Sequence, residues 1–348
     1  MTRLLVTDAD LQKYDAWVRS HPQGNLWQSL EWKRYQESLG RSVRIYAEEE
    51  AGNVVASALV VVDRTTGGFS TWDIPRGPLR SSGEWRVTFD QLIEQIIQDA
   101  QREKCIALYC SPMTTLSSAR FPFNASPRRI YAEATRILDL TKSDDEILSG
   151  MHPKGRYNIG VARKHGITVR KGSVKDIDAF YELLMSTGNR DGFKISQKSH
   201  YMRFLTDLDG SFILMAHHEG RAVAGLIGVT SPPAPLRARR GENIPVHEGR
   251  QEKTGIYYYG ASSYEHRHLM APYLLQWKAM RYCKELGCTR YDLLGIAPEG
   301  AKSDDPWAGI TDFKRKFGGK VVTYPAEQMI VLRPIVKKML EWKRKVVG

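Results

Sequence analysis

Three segments in the C-terminal half of the chain hold residue types suited to chemistry at a carbonyl group. They are Tyr257-Tyr258-Tyr259-Gly260-Ala261-Ser262, Asp292-Leu293-Leu294-Gly295 and Asp312-Phe313-Lys314-Arg315-Lys316-Phe317-Gly318. A lysine beside an aromatic ring can stabilise negative charge on a tetrahedral oxygen. Taken alone, Lys314 reads better as a cation on a strand face, because Arg315 and Lys316 adjoin it. A second basic element, His152 to Gly166, has a proline suited to a helix start and a glycine suited to its end. At 3.6 residues per turn Arg156 and Arg163 share one face, with Gly160 and Lys164 beside it, so either a phosphate backbone or solvent could cover that face. The four cysteines, Cys105, Cys110, Cys283 and Cys288, match neither a C-x-x-C motif nor a zinc framework and read as free buried thiols.

The elements that must position these residues occur nearly twice. In the first half an alternating strand, 43–49, turns at Glu50-Ala51-Gly52-Asn53 into an apolar strand, 54–62. A strand at 68–73 follows, then a helix with Phe89, Leu92, Ile93, Ile96 and Ile97 on one face, then a strand at 105–109. The second half repeats the order with strands 211–217, 221–229 and 256–262, a helix bearing Leu269, Tyr273, Leu274, Trp277 and Met280, and strand 291–294. Helical segments open both halves, near 8–20 and 30–39, and near 174–186 and 199–208. A structural duplication is the economical explanation.

The boundary is expected near residue 145, where Ser143-Asp144-Asp145-Glu146 supplies a capping-box helix start. The first domain is then 1–144, completed by 320–348, and the second is 145–319. Residues 231–253, rich in proline, glycine and charge, read as a flexible loop. The C-terminal helix, from about Pro334 to Val346, carries Ile335, Met339, Trp342 and Val346 at helical spacing, a stripe expected to pack on the first domain.

A hydrophobic fraction of 42% and a charged fraction of 26% are those of a soluble globular protein, and 348 residues suffice for two cores. Lys and Arg exceed Asp and Glu by 51 to 39, a net charge of +12 that favours polyanions: RNA, nucleotide-linked sugars or an anionic membrane face. Without a signal-peptide run or an apolar stretch of membrane-spanning length, a cytoplasmic location is expected.

Across nearly its whole length the chain resembles the FemABX family, aminoacyltransferases that add amino acids from charged tRNA to the peptidoglycan stem peptide. The resemblance is carried by Asp292-Leu293-Leu294-Gly295, by Phe313-Lys314-x-x-Phe317-Gly318, by His152 to Gly166 and by Gln28-Ser29-Leu30-Glu31-Trp32-Lys33-Arg34. It implies an α+β fold of two tandem GCN5-related acyltransferase-like (GNAT-like) domains, each a mixed sheet flanked by helices, of the compact type without a coiled-coil arm. The glycine-free turn 264–272, and the segment 78–85 with Gly83 alone, would not cradle a CoA pyrophosphate. The implied reaction is aminolysis: a stem-peptide amine of a UDP- or lipid-linked muramyl peptide attacks the ester that joins an amino acid to tRNA. It requires no metal or redox cofactor.

The resemblance gives the catalytic role to Lys314 with Phe313, and tRNA contact to Arg156, Arg163 and Lys164. Precursor binding falls to Trp32, Lys33, Arg34 and Tyr259, with a conformational role for Gly77 and Pro78. The family's arginine and tyrosine after Arg190-Asp191-Gly192 are replaced by Ser196 and His200, leaving Lys198 and Tyr201 as nearby candidates. The acidic residue that some members carry before Pro112 is Ser111 here, a poor base. The expected partners are aminoacyl-tRNA and the muramyl precursor. A lipid-linked acceptor would add weak peripheral contact with the inner membrane face, and the protein is expected to be a monomer. A related acyltransferase with another amine acceptor and a non-catalytic RNA-binding protein are the alternatives.

Overall fold

A computed structural model of the chain describes residues 2–65, 67–81, 85–116, 120–128, 130–192, 194–231, 253–302, 305 and 307–347. The loop expected at 231–253 lies, but for its two end residues, outside these, as does Gly83. The chain divides into two compact units, 1–133 with 324–348, and 134–323.

In chain order the first unit begins with β1 (Thr2–Leu4), α1 (Asp8–Ser20), α2 (Leu30–Ser38), β2 (Ser42–Glu50) and β3 (Asn53–Arg64). It continues with β4 (Ser70–Pro75), β5 (Leu79–Arg80), α3 (Trp85–Arg102), β6 (Cys105–Ser111) and β7 (Asn124–Ala125). The second unit holds β8 (Ala134–Asp139), α4 (Asp144–Ser149), α5 (Pro153–Lys164), β9 (Thr168–Lys171), α6 (Ile177–Asp191) and α7 (Lys198–Asp207). After these come β10 (Ser211–His218), β11 (Arg221–Ser231), β12 (Thr254–Ser262), α8 (Ala271–Glu285), β13 (Arg290–Asp292), α9 (Ala308–Arg315) and β14 (Lys320–Thr323). The chain then returns to the first unit as β15 (Gln328–Val331) and α10 (Pro334–Val347).

The duplication is visible in its details. Each hairpin turns through two residues of positive φ, Ala51 and Gly52 in one unit and Glu219 and Gly220 in the other, the backbone twist that a tight hairpin requires. Each hairpin also carries a register shift two or three residues from the turn, at Glu48/Glu49 and at Ala216/His217. In the first unit the strands run β1-β2-β3-β4-β6-β15-β7, with β5 on β3 and a parallel pair β4/β6. In the second they run β14-β8-β13-β12-β11-β10-β9, with a parallel pair β12/β13.

One long helix packs on each sheet. Phe89, Leu92, Ile93 and Ile96 of α3 bury against Val60, Val62, Trp72 and Leu108. Leu274, Leu275, Trp277 and Met280 of α8 bury against Leu214, Leu226 and Tyr291. Each such side chain contributes about 1.5–3 kcal/mol on leaving water. The capping box at Ser143 and Glu146 forms as its sequence implies, and all four cysteines are free and buried.

Three expectations are corrected. The strand 134–139 belongs to the second sheet, where it pairs with β13 and β14, so the unit begins at 134 and not at 145. The strand 320–323 joins that same sheet, so the return to the first unit comes at 324. The stripe of α10 is also not buried: Ile335, Met339 and Trp342 are 75%, 63% and 68% exposed, and it is Val336, Lys337 and Leu340 that are half-buried, while the Val346 side chain lies outside the described residues.

Candidate active site

The parallel strands β12 and β13 run together only from Thr254 to Ile256 and from Arg290 to Asp292, and then part. Strand β12 continues along β11 through a bulge at Tyr258, between the pairs Ile227 with Tyr259 and Gly228 with Tyr257. On the other side the chain leaves β13 through Leu294, whose φ of 52° is a conformation that few non-glycine residues adopt. Asp292 supports it by accepting the Leu294 N–H at 2.7 Å, and also accepts the Thr135 hydroxyl. The turn presents the carbonyls of Leu294 and Gly295 together.

Lys314 enters at this parting of the strands. Its Nζ donates to the Gly295 carbonyl at 2.6 Å and to the Leu294 carbonyl at 3.2 Å, and the side chain is almost wholly buried. The rings of Tyr257 and Trp307 lie 5.6 and 5.9 Å from Nζ. Burial drives the lysine pKa down to about 7, and the Asp292 carboxylate resists that fall. An ammonium has three donors, so two carbonyls leave one for a ligand.

The lysine sits on helix α9, not on a strand. The hydroxyl of Thr311 pins that helix by donating to the Trp307 carbonyl at 2.6 Å and accepting the Ala297 N–H at 2.8 Å. The neighbouring cations are spent elsewhere: Arg315 and Lys316 both pair with Asp312, at 2.8 and 2.6 Å. Phe313 does not face the ammonium. Its ring packs with Tyr273 and Phe317, both at 5.1 Å, and anchors the helix.

The remaining sequence candidates are dispersed. Arg156 donates to the Met151 and Ser149 carbonyls at the end of α4, whereas Arg163 and Lys164 are exposed on α5. Gly155 has a packing role, since a Cβ there would stand 2.4 Å from the Lys316 carbonyl oxygen at the end of α9. Tyr201 and Tyr259 stack edge to face at 4.9 Å, and Tyr259 shares a 2.9 Å hydrogen bond with His200. Lys198 pairs with Asp178 at 2.7 Å on the surface.

In the first unit Trp32 is a buried anchor packed on Trp27 and Tyr35, Lys33 pairs with Glu37, and Arg34 lies 3.6 Å from Glu31. Gln28 of the same motif ties the core together, accepting the Leu59 N–H and donating to the Pro75 carbonyl. A Cβ on Gly77 would collide with this amide, at 2.5 Å. Ser111 donates to Glu327, a buried carboxylate also bound by Arg128.

Sequence reasoning did not single out Asp292, Tyr257, Trp307 or Thr135 as site residues. Asp292 and Tyr257 lay inside quoted motifs, and a buried carboxylate at the end of a strand was the available signal.

The FemAB family model matches residues 10–128, 123–218 and 250–344, most of the chain. The chain belongs to the FemAB family. Among its curated relatives, the lipid II:glycine glycyltransferase of Staphylococcus saprophyticus is 23% identical over 397 aligned positions, covering 94% of this chain and 92% of that protein. The crystal structure of FemX superposes with a TM-score of 0.76 at 19% identity, covering 98% of this chain and 100% of the other. A tandem GNAT protein from the clavulanic acid biosynthesis pathway superposes with a TM-score of 0.55 at 12% identity, over 95% and 98% of the two chains. The FemAB protein described here is therefore a transferase on an α+β scaffold of two GNAT-like units. Among its described residues no helix is long and apolar enough to cross a membrane, and no three His, Cys, Asp or Glu side chains group as a metal site.

Proposed function

We propose that this FemAB protein transfers an amino acid from its ester on tRNA to the stem-peptide amine of a muramyl precursor, lipid-linked as in its glycyltransferase relatives or UDP-linked. The observation that carries the reading is the buried Lys314, held where β12 and β13 part, with a pKa near neutrality. The acceptor nitrogen attacks the ester carbonyl carbon and forms the C–N bond, and the ester C–O bond then breaks. The ammonium form of Lys314 donates to the tetrahedral oxygen and hands a proton to the departing ribose oxygen; the proton shed by the acceptor nitrogen restores it. The ester is already activated, so positioning and charge stabilisation account for the catalysis. Arg163 and Lys164 supply phosphate contacts for tRNA, and Tyr201 and Tyr259 belong to the precursor site.

Lys314→Met keeps the stem and removes the charge. Single-turnover transfer from charged tRNA to a muramyl pentapeptide precursor should fall about 10²–10³-fold while both substrates still bind. Near wild-type transfer by the folded variant would sink the assignment. Consumption of charged tRNA with a different amine, and none with the precursor, would redirect the acceptor.

A further inference from the structure

Helix α10 carries apolar residues on two sides, one half-buried and the other exposed. At about 100° per residue, the half-buried Val336 and Leu340 lie on the side turned toward the first sheet, where α10 packs on β6, whereas Ile335, Met339 and Trp342 span an arc of about 60° centred about 110° away from them. Among the described residues these three are the exposed large apolar side chains of the helix, at 75%, 63% and 68%. Lys338 is exposed about 40° beyond the Trp342 edge of that arc. From 333 to 347 the sequence sets Arg333, Lys337, Lys338, Lys343, Arg344 and Lys345 against Glu341 alone.

We propose that this face of α10 docks on an anionic lipid bilayer, with Ile335, Met339 and Trp342 entering the headgroup boundary. A helix with an apolar stripe that includes tryptophan, bordered by lysine, is the pattern that lies in a membrane interface. Charge complementarity selects the occupant. A second copy of the chain would bring one cationic helix against another, and RNA would satisfy the lysines but leave the apolar stripe in water. Docking is independent of the transfer reaction, so it stands or falls apart from the proposed function.

The test is co-sedimentation of the full chain with vesicles of phosphatidylglycerol and phosphatidylcholine, compared with phosphatidylcholine alone. Binding to the anionic vesicles, weakened by salt, is expected. Ile335→Ser with Trp342→Ser should reduce it at least ten-fold, Lys338→Gln about five-fold, and Trp342→Phe should preserve it; circular dichroism checks that each variant folds. Equal recovery on both vesicle types, or unchanged binding by the double serine variant, overturns the proposal. So does a vesicle-free shift from dimer to monomer caused by the serine substitutions, which would make the stripe a self-association surface.

Discussion

Lys314 is costly to keep. Its folded pKa of about 7 lies below the 10.5 of an unfolded lysine, so between these values the unfolded chain holds a proton that the folded chain lacks. Stability therefore rises with pH across that window, and the penalty is fully present below pH 7. Relative to Lys314→Met, the wild-type protein should gain about 2 kcal/mol in urea unfolding between pH 7 and pH 9; parallel curves for the two proteins would refute the lowered pKa. In transfer assays the same proton should make the Lys314 contribution fade as pH rises through about 7, a limb absent from the Met variant. Little of this was legible in sequence. Lys314, Arg315 and Lys316 are chemically similar and adjacent, and they differ only in what surrounds them: two carbonyls for the first, Asp312 for the others. The groups that tune the lysine come from β12, β13 and the start of α9, which no local spacing connects.

Helix α5 shows what a motif can and cannot reveal at the scale of an element. Its boundaries followed from Pro153 and Gly166, but its residues divide by task. Gly155 and Arg156 hold α4 and the end of α9 together, whereas Arg163 and Lys164 stand free on the surface among the described residues. Arg163→Ala with Lys164→Ala should weaken tRNA binding and lower the slope of log affinity against log salt by about 1.5, with precursor affinity unchanged. An unaltered slope would return both to the solvent. Gly155→Ala should instead act through structure, because its methyl meets backbone and not a movable side chain. A loss of about 1–3 kcal/mol in stability, accompanied by slower transfer, is the expected outcome in urea melts and single-turnover assays. The hairpins, α3 and α8 were readable because period-two and period-3.6 patterns are local. Strands β8 and β14 were assigned to the wrong unit because partner choice depends on residues far away in sequence, among them Arg290 and Asp292.

The whole molecule is a duplication in which one copy is interrupted by the other. The second unit, 134–323, is continuous and has its own buried core. The first is completed by β15, which sits between β6 and β7, and by Glu327, which accepts from Ser111, Ser126 and Arg128. A fragment 134–323 should unfold cooperatively in urea, whereas 1–133 alone should not, since removing one partner of a buried ion pair costs about 3–5 kcal/mol; a cooperative transition for 1–133 would show that β15 is dispensable. During synthesis this arrangement imposes an order. Residue 133 is made roughly 200 residues before β15 ends, an interval on the order of 10–40 s at ordinary elongation rates. For that time the edge of β6 has no β15 to pair with, and the inserted unit is itself complete only when β14 has been made, just before β15. The unit that is begun first is thus the last to be finished: β1 meets β2 early, but β6 keeps one edge open until the whole insert has left the ribosome's active centre.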